Sequence, residues 1–321
     1  MLFLAIETSS SRGSLALLGG GAPSREVLFP EGLIHGREVA SRIQELLAQA
    51  PNRPAQPESP AGTVRAGAPE PAGQRGGPES TAESTPHSTP ESGRRPNAAR
   101  GVQGIAVGLG PGSFTGIRVG VTAAKTLALA LGVPVVGESS LRARASNAAV
   151  GAAEPPPNGA GASPRPRFIL PVLDARQGMF FGALFEIDRP SGEPREGFDL
   201  AAATRRLSDD AAWEPAAIAS DAKRLAANSA GVASARETGA EADPPILVIG
   251  EGADAFLETV RDSRFRRGPR EWDAPRATLL ARLCEARLMD APFDLETLHT
   301  LAPSYLRETE AERKFSAKGR V

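Results

Sequence analysis

The chain opens on short apolar runs separated by polar turns. LFLAI, ahead of Glu7, reads as a buried strand, and Glu7-Thr8-Ser9-Ser10 as the polar turn that ends it. SLALL (14–18) returns as a second strand, Gly19–Gly21 make the next turn, and Val27, Leu28 and Phe29 suggest a third. From Leu33 the period changes: Ile34, Val39, Ile43, Leu46 and Leu47 fall mostly on one helical face. The opening is therefore β-β-β-α. Strand 105–109, a glycine-rich loop, a helix to about Leu131, a strand over 134–139 and a helix over LRARASNAAV continue it.

Pattern then alternates with interruption. Val64 is the only large aliphatic or aromatic residue between Pro51 and Arg100. Such a stretch cannot bury enough apolar surface to offset ordering entropy, so 51–100 is expected to be a disordered insertion carrying an exposed His87. Segments 151–166 and 228–244 are low-complexity as well. Between them FILPVLDARQGMFFGALFEID predicts two strands joined by a polar turn at Asp174–Gly178, and 208–227 a helix. ILVIGEGA (246–253) predicts a strand and turn, 253–261 a short helix, and 277–290 an amphipathic helix. The tail 304–321 is polar and basic-ended. The order β-β-β-α-β-α, echoed after residue 167, predicts two related α/β halves, 1–148 and a smaller 149–303.

Composition narrows the setting. In 321 residues, 37 Lys and Arg against 38 Asp and Glu leave a net charge of −1, so no global basic field supports tight nucleic-acid binding by the chain alone. A lone cysteine, Cys284, excludes an internal disulfide and suits a reducing cytoplasm. The N-terminus lacks a basic signal region, and no segment reads as long and apolar enough to span a bilayer. The expectation is a cytoplasmic protein without a membrane partner.

IAVGLGPGSFTGIR (105–118) carries the strongest local signal. A strand, a loop with Gly108, Gly110 and Gly112, and a helix start with Ser113, Thr115 and Arg118 could present backbone N–H groups to an anion. The same glycines could equally serve only a sharp strand-to-helix turn. It is not a Walker A loop, a dinucleotide fingerprint or a nucleophile elbow, since none of those spacings is met. The only histidines are His35, His87 and His299, with no triad motif around them, and Cys284 in its helix reads as a core thiol. Four positions after His35 stands Val39, so a two-histidine helical metal face is absent. No catalytic residue and no metal ligand set is assigned. Glu7 with Thr8 and Ser9 resembles the first phosphate loop of actin-like ATPases, where a carboxylate holds a hydrated cation; the alternative is a solvated strand-end residue.

Taken together, LAIETSSSRGSLALL, GIAVGLGPGSFTGIRVGVTAAKTLALALGVPVVGESSL, LPVLDARQGMFFGALFE and LAPSYLR resemble the TsaB (YeaZ-like) family. The resemblance implies two actin-like (ASKHA, ribonuclease H-like) α/β halves. It also implies a non-catalytic subunit that pairs with a TsaD-like transferase and a TsaE-like ATPase, meeting tRNA through the complex, for threonylcarbamoylation of the adenosine beside the anticodon. ATP or ADP with magnesium would belong to the assembled complex, with none held tightly by this chain alone; homodimerisation is left open. The implied pairing surface is the first two helices, with His35, Val39, Ile43, Gly116, Gly120, Ala123 and Ala124. Glu7, Thr8, Ser9, Gly110, Gly112, Ser113, Thr115 and Arg118 are the candidate nucleotide or phosphate loop. The family usually has Asp at position 7. The alternatives are a stand-alone actin-like ATP-dependent phosphotransferase and a glycoprotease-like metallopeptidase.

Overall fold

The computed structural model describes residues 1–19, 24–30, 35–48, 101–151, 167–188, 198–229 and 244–306, without the side chains of 35–37 and 151. The expected insertion at 51–100 with His87, nearly all of 151–166 and 228–244, and the tail beyond 306 lie outside the described residues.

Three apolar runs make β1 (Leu2–Glu7), β2 (Ser14–Gly19) and β3 (Arg25–Leu28), an antiparallel meander as expected. Helix α1 (His35–Ala48) follows. β4 (Gly104–Gly108) then pairs parallel to β1, and β5 (Val135–Glu138) parallel to β4, giving the order β3-β2-β1-β4-β5. Helix α2 (Phe114–Leu131) joins those two strands, and α3 (Ser140–Gly151) leaves the sheet.

Strand alternation assigns the two faces of this sheet. Leu2, Leu4, Ile6, Leu15, Leu17, Ile105 and Val107 join Val39, Ile43, Leu46 and Leu47 of α1 and Ile117, Val121, Ala124 and Ala128 of α2. Phe3, Ala5, Ala16 and Ala106 face the other way, toward α3 and α7 (Ala277–Asp290). The three alanines leave room for α7, which packs along β1, β2, β4 and β5. Its first turn is held by the sheet: Ala277 N donates to Ser14 Oγ at 2.9 Å and Thr278 N to Glu26 Oε1 at 3.1 Å. Because α7 is enclosed, its buried residues are Ala277, Leu279, Leu280, Ala281, Leu283, Cys284 and Leu288, a broader face than an amphipathic surface helix shows. The late helix α7, which the sequence assigns to the second half, thus packs on the first sheet.

The second sheet repeats the strand logic. β6 (Phe168–Asp174) is its centre, β11 (Ile246–Ile249) and β12 (Phe265–Arg267) run parallel to it on one side, and on the other β7 (Phe180–Gly182) pairs antiparallel with β6 and β10 (Ala211–Trp213) antiparallel with β7. The single strand expected after Gly178 is in fact two, β7 and β8 (Phe185–Ile187), the latter pairing with β6 and with β9 (Thr204–Arg206). At the break Leu184 N donates to Ser208 Oγ at 2.9 Å, while Leu184 O accepts from Leu207 N at 2.8 Å. The backbone is satisfied there by the neighbouring loop instead of the ladder. A helix expected over 208–227 starts later, because β10 comes first and Pro215 takes the opening position of α5 (Pro215–Asn228). α4 (Leu200–Ala203), capped by Asp199, precedes β9. α5 and α6 (Ala253–Val260) cover the outer face through Phe168, Leu170, Val172, Ile218 and Phe256. α8 (Leu295–Thr300) closes the described chain against α2.

The layers run α1/α2, first sheet, α3/α7, second sheet, α5/α6. One expectation is corrected: α2 has 18 residues and is long and apolar enough to cross a membrane by length and composition alone. Its apolar side is spent on the first sheet through Ile117, Val121, Ala124, Ala128 and Leu131.

Candidate functional site

The glycine loop and the Glu7–Ser10 turn meet at the end of the first sheet, because β1 and β4 are parallel neighbours and both end there. The turn is inside the protein: Glu7, Thr8, Ser9 and Ser10 are all buried. The Glu7 carboxylate accepts from Ser9 N at 2.8 Å through Oε1 and from Ser140 Oγ at 2.9 Å through Oε2. Ser140 Oγ accepts in turn from Gly110 N at 3.2 Å, and Ser140 N donates to Gly110 O at 2.9 Å. Thr8 Oγ1 donates to Gly116 O at 2.7 Å, and Ser113 N to Ser9 O at 2.7 Å.

The glycines make this approach possible. A Cβ on Gly108 would overlap the Glu7 carboxylate, one on Gly112 the Ser9 carbonyl, and one on Gly116 or Gly120 the Thr8 oxygens. The loop is thus a socket for the chain's own first turn. Gly110, at φ +92°, completes the bend. Ser113 is the N-cap of α2, accepting from Gly116 N at 3.2 Å.

Of the eight candidate phosphate-loop residues, the structure gathers Glu7, Thr8, Ser9, Gly110, Gly112 and Ser113 at this socket. Thr115 and Arg118 lie on the exposed side of α2. The reading of Glu7 as a solvated strand end is corrected, since the residue is fully buried. Each carboxylate oxygen accepts one hydrogen bond from the chain, from Ser9 N and from Ser140 Oγ, so Glu7 is tied into the fold on both sides.

Five of the seven candidate pairing residues are turned inward. Val39, Ile43 and Ala124 are in the core, Gly116 and Gly120 press on Thr8, and Ala123 is half-buried. The backbone of His35 opens α1; its side chain lies outside the described residues. The exposed positions of α1 and α2 are Ala40, Ser41, Gln44, Glu45 and Ala48, and Phe114, Thr115, Arg118, Thr122, Thr126, Leu129 and Ala130. The helical stripe was legible in the sequence, but which side of a small-residue helix meets its own sheet depends on the Thr8 turn.

Sequence reasoning missed Ser140 and Arg144. Arg144, on α3, is fully buried, with Nη2 at 3.5 Å from Glu251 Oε2 and no hydrogen-bond partner for Nε or Nη1. Burial pushes its pKa down, opposed by the charges of Glu251, Glu7 and Asp273. Glu251, in the turn after β11, also accepts from Ser11 Oγ at 3.5 Å, so one side chain of the second sheet meets two elements of the first. The only sequence signal for Arg144 was a pair of arginines, Arg142 and Arg144, inside a helix of mostly small residues. Among the described residues no group of three or more His, Cys, Asp or Glu is placed to hold a metal ion.

Comparison with known proteins agrees in sequence and fold. The profile of the family described as TsaD: tRNA N6-adenosine threonylcarbamoyltransferase matches residues 98–315. A Bacillus subtilis (strain 168) protein, "tRNA threonylcarbamoyladenosine biosynthesis protein TsaB", is 26% identical over 214 residues, 66% of this chain and 72% of the relative. The Escherichia coli (strain K12) protein of the same name is 36% identical over 87 residues, 27% of this chain and 32% of the relative. Among solved structures, a Pseudomonas aeruginosa protein with similarity to peptidase YEAZ aligns over 95% of this chain and 99% of its own, at TM-score 0.55 and 19% identity. YeaZ from Pseudomonas aeruginosa aligns over 95% and 100%, at TM-score 0.54 and 19% identity. These structures share the mixed α/β fold.

Proposed function

The chain belongs to the TsaD family, tRNA N6-adenosine threonylcarbamoyltransferase, and from that premise we propose that it is the non-catalytic, TsaB-like member of the threonylcarbamoylation machinery. Its place in tRNA threonylcarbamoyladenosine biosynthesis rests on the two TsaB relatives. The finer reading makes it a cytoplasmic subunit that pairs with a TsaD-like transferase, works with a TsaE-like ATPase and meets tRNA through the complex. Its two sheets, with their shared strand order, are read as two actin-like halves.

One observation carries the accessory role. The turn that would have to cradle phosphate is occupied by its own structure: Glu7 is buried, bonded to Ser9 and Ser140, and enclosed by the glycine loop. Val39, where a second helical metal ligand would stand, is a core residue. ATP or ADP with magnesium is accordingly assigned to the assembled complex. The pairing surface is assigned to the outward face of α1 and α2. Calorimetric titration of this chain into the TsaD homologue of the same organism tests the pairing; no heat of binding, with both proteins folded, would contradict it.

A further inference from the structure

Three exposed side chains at the start of α2 form a stack that the fold does not require. The Arg118 guanidinium carbon lies 3.8 Å from the Phe114 ring centroid, and Arg118 Nε donates to the Tyr305 hydroxyl at 2.7 Å. The Phe114 and Tyr305 rings are 5.4 Å apart, and the two residues keep 42% and 48% of their surface exposed. Tyr305 is delivered by the C-terminal segment, which three hydrogen bonds tie to the glycine loop and to α2. Ser304 N donates to Leu109 O at 2.8 Å, and Lys125 Nζ to the carbonyls of His299 and Leu301 at 3.1 Å.

Arg118 is thus held in one place with its outer edge open. Among the described residues its only hydrogen bond is the one from Nε, and no carboxylate there pairs with it. A guanidinium fixed on one face and tethered at Nε has surrendered much of its side-chain freedom beforehand, and it offers two parallel N–H donors. The rest of the outward stripe of α2, Thr115, Thr122, Thr126 and Leu129, is exposed and uncharged. An RNA surface would need several free cations, since its affinity comes from neutralising successive phosphates. Here Lys125 is spent on backbone carbonyls, leaving one cation between aromatic rings on a neutral helix face. That is the composition of a protein interface anchor, where Arg and Tyr are enriched.

We propose that Arg118, clamped by Phe114 and Tyr305, is the charged anchor of the subunit interface and takes a carboxylate of the partner protein in a bidentate pair. This rests on the subunit reading above. The test is calorimetric titration of the full-length chain, wild type and variants, into the purified TsaD homologue at two salt concentrations, with thermal melts of every variant. Arg118→Ala and Arg118→Lys are both expected to weaken binding, the alanine variant by roughly thirtyfold or more, with a reduced salt dependence and an unchanged melt. Tyr305→Phe, which removes only the tether, is expected to weaken binding less. If the wild type does not bind at all, the subunit reading itself fails. If the wild type binds and Arg118→Ala, with a wild-type melt, binds equally well, this proposal is overturned while that reading stands. Arg118→Lys binding like wild type would also overturn it, because a bare charge would then suffice. Should Arg118→Glu change only self-association of the chain in sedimentation, the occupant is a second copy and the assignment to a partner is wrong.

Discussion

Glu7 and Ser140 are 133 residues apart in the chain and share a buried hydrogen bond of 2.9 Å, from Ser140 Oγ to Glu7 Oε2. Through it the end of β1 is tied to the start of α3, and Gly110 N, which donates to the same hydroxyl at 3.2 Å, joins the glycine loop to both. Removing the hydroxyl leaves a buried carboxylate oxygen and a buried N–H short of a partner. Ser140→Ala is expected to lower stability by about 1–3 kcal/mol, read from urea unfolding midpoints. A change within error would mean that this hydrogen bond is not formed in solution.

Gly120 distinguishes a packing glycine from an interface glycine. Its missing Cβ is filled by Thr8 Oγ1, which is itself bonded to Gly116 O. Gly120→Ala is expected to destabilise the chain by about 1–3 kcal/mol. Thr122→Arg, on the exposed side of the same helix, is expected to leave the melting temperature unchanged and to weaken pairing with the TsaD homologue. The reverse pattern would put the interface on the inner face.

The contrast shows what could be read from the chain. The meander β1–β3, the helix 114–131 and the helix 277–290 follow from local periodicity, and the resemblance motifs point to the family directly. The fate of Glu7 does not follow from its neighbours in sequence, because its partner Ser140 arrives from a distant helix. The split of β7 from β8 depends on Ser208, and the Arg118 stack on Tyr305. Each is a long-range hydrogen bond made by a polar side chain, which hydrophobic pattern does not encode.

Cys284 faces the enclosed layer between the sheets. Burial pushes its thiol up to about 12, against a smaller opposing effect of the Arg287 charge. At pH 8 the thiolate would then be about one part in ten thousand. Iodoacetamide is expected to leave the folded chain unlabelled and to modify it readily in guanidinium, as followed by intact mass. Rapid labelling of the folded chain would show that α7 opens.

The Lys223 ammonium, bonded to Asp262 at 2.7 Å, and the backbone N–H of Arg264 hold the Asp262 carboxyl below the usual carboxylate range. A carboxyl with a lower pKa folded than unfolded contributes stability above its unfolded value, which is lost as pH falls through the folded one. Lys223→Met is therefore expected to melt slightly below wild type at pH 7, with the gap closing as pH drops below about 4. A gap independent of pH would assign the effect to packing of the lysine stem.

The central claim is that this chain is a required but non-catalytic subunit. The most direct measurement is a reconstituted reaction containing the TsaD and TsaE homologues, ATP, a threonylcarbamoyl donor and tRNA, with and without this chain, scored by nucleoside mass spectrometry. Threonylcarbamoyladenosine is expected only when the chain is present, and this chain without the TsaD homologue is expected to give none. Full modification in its absence would contradict the account.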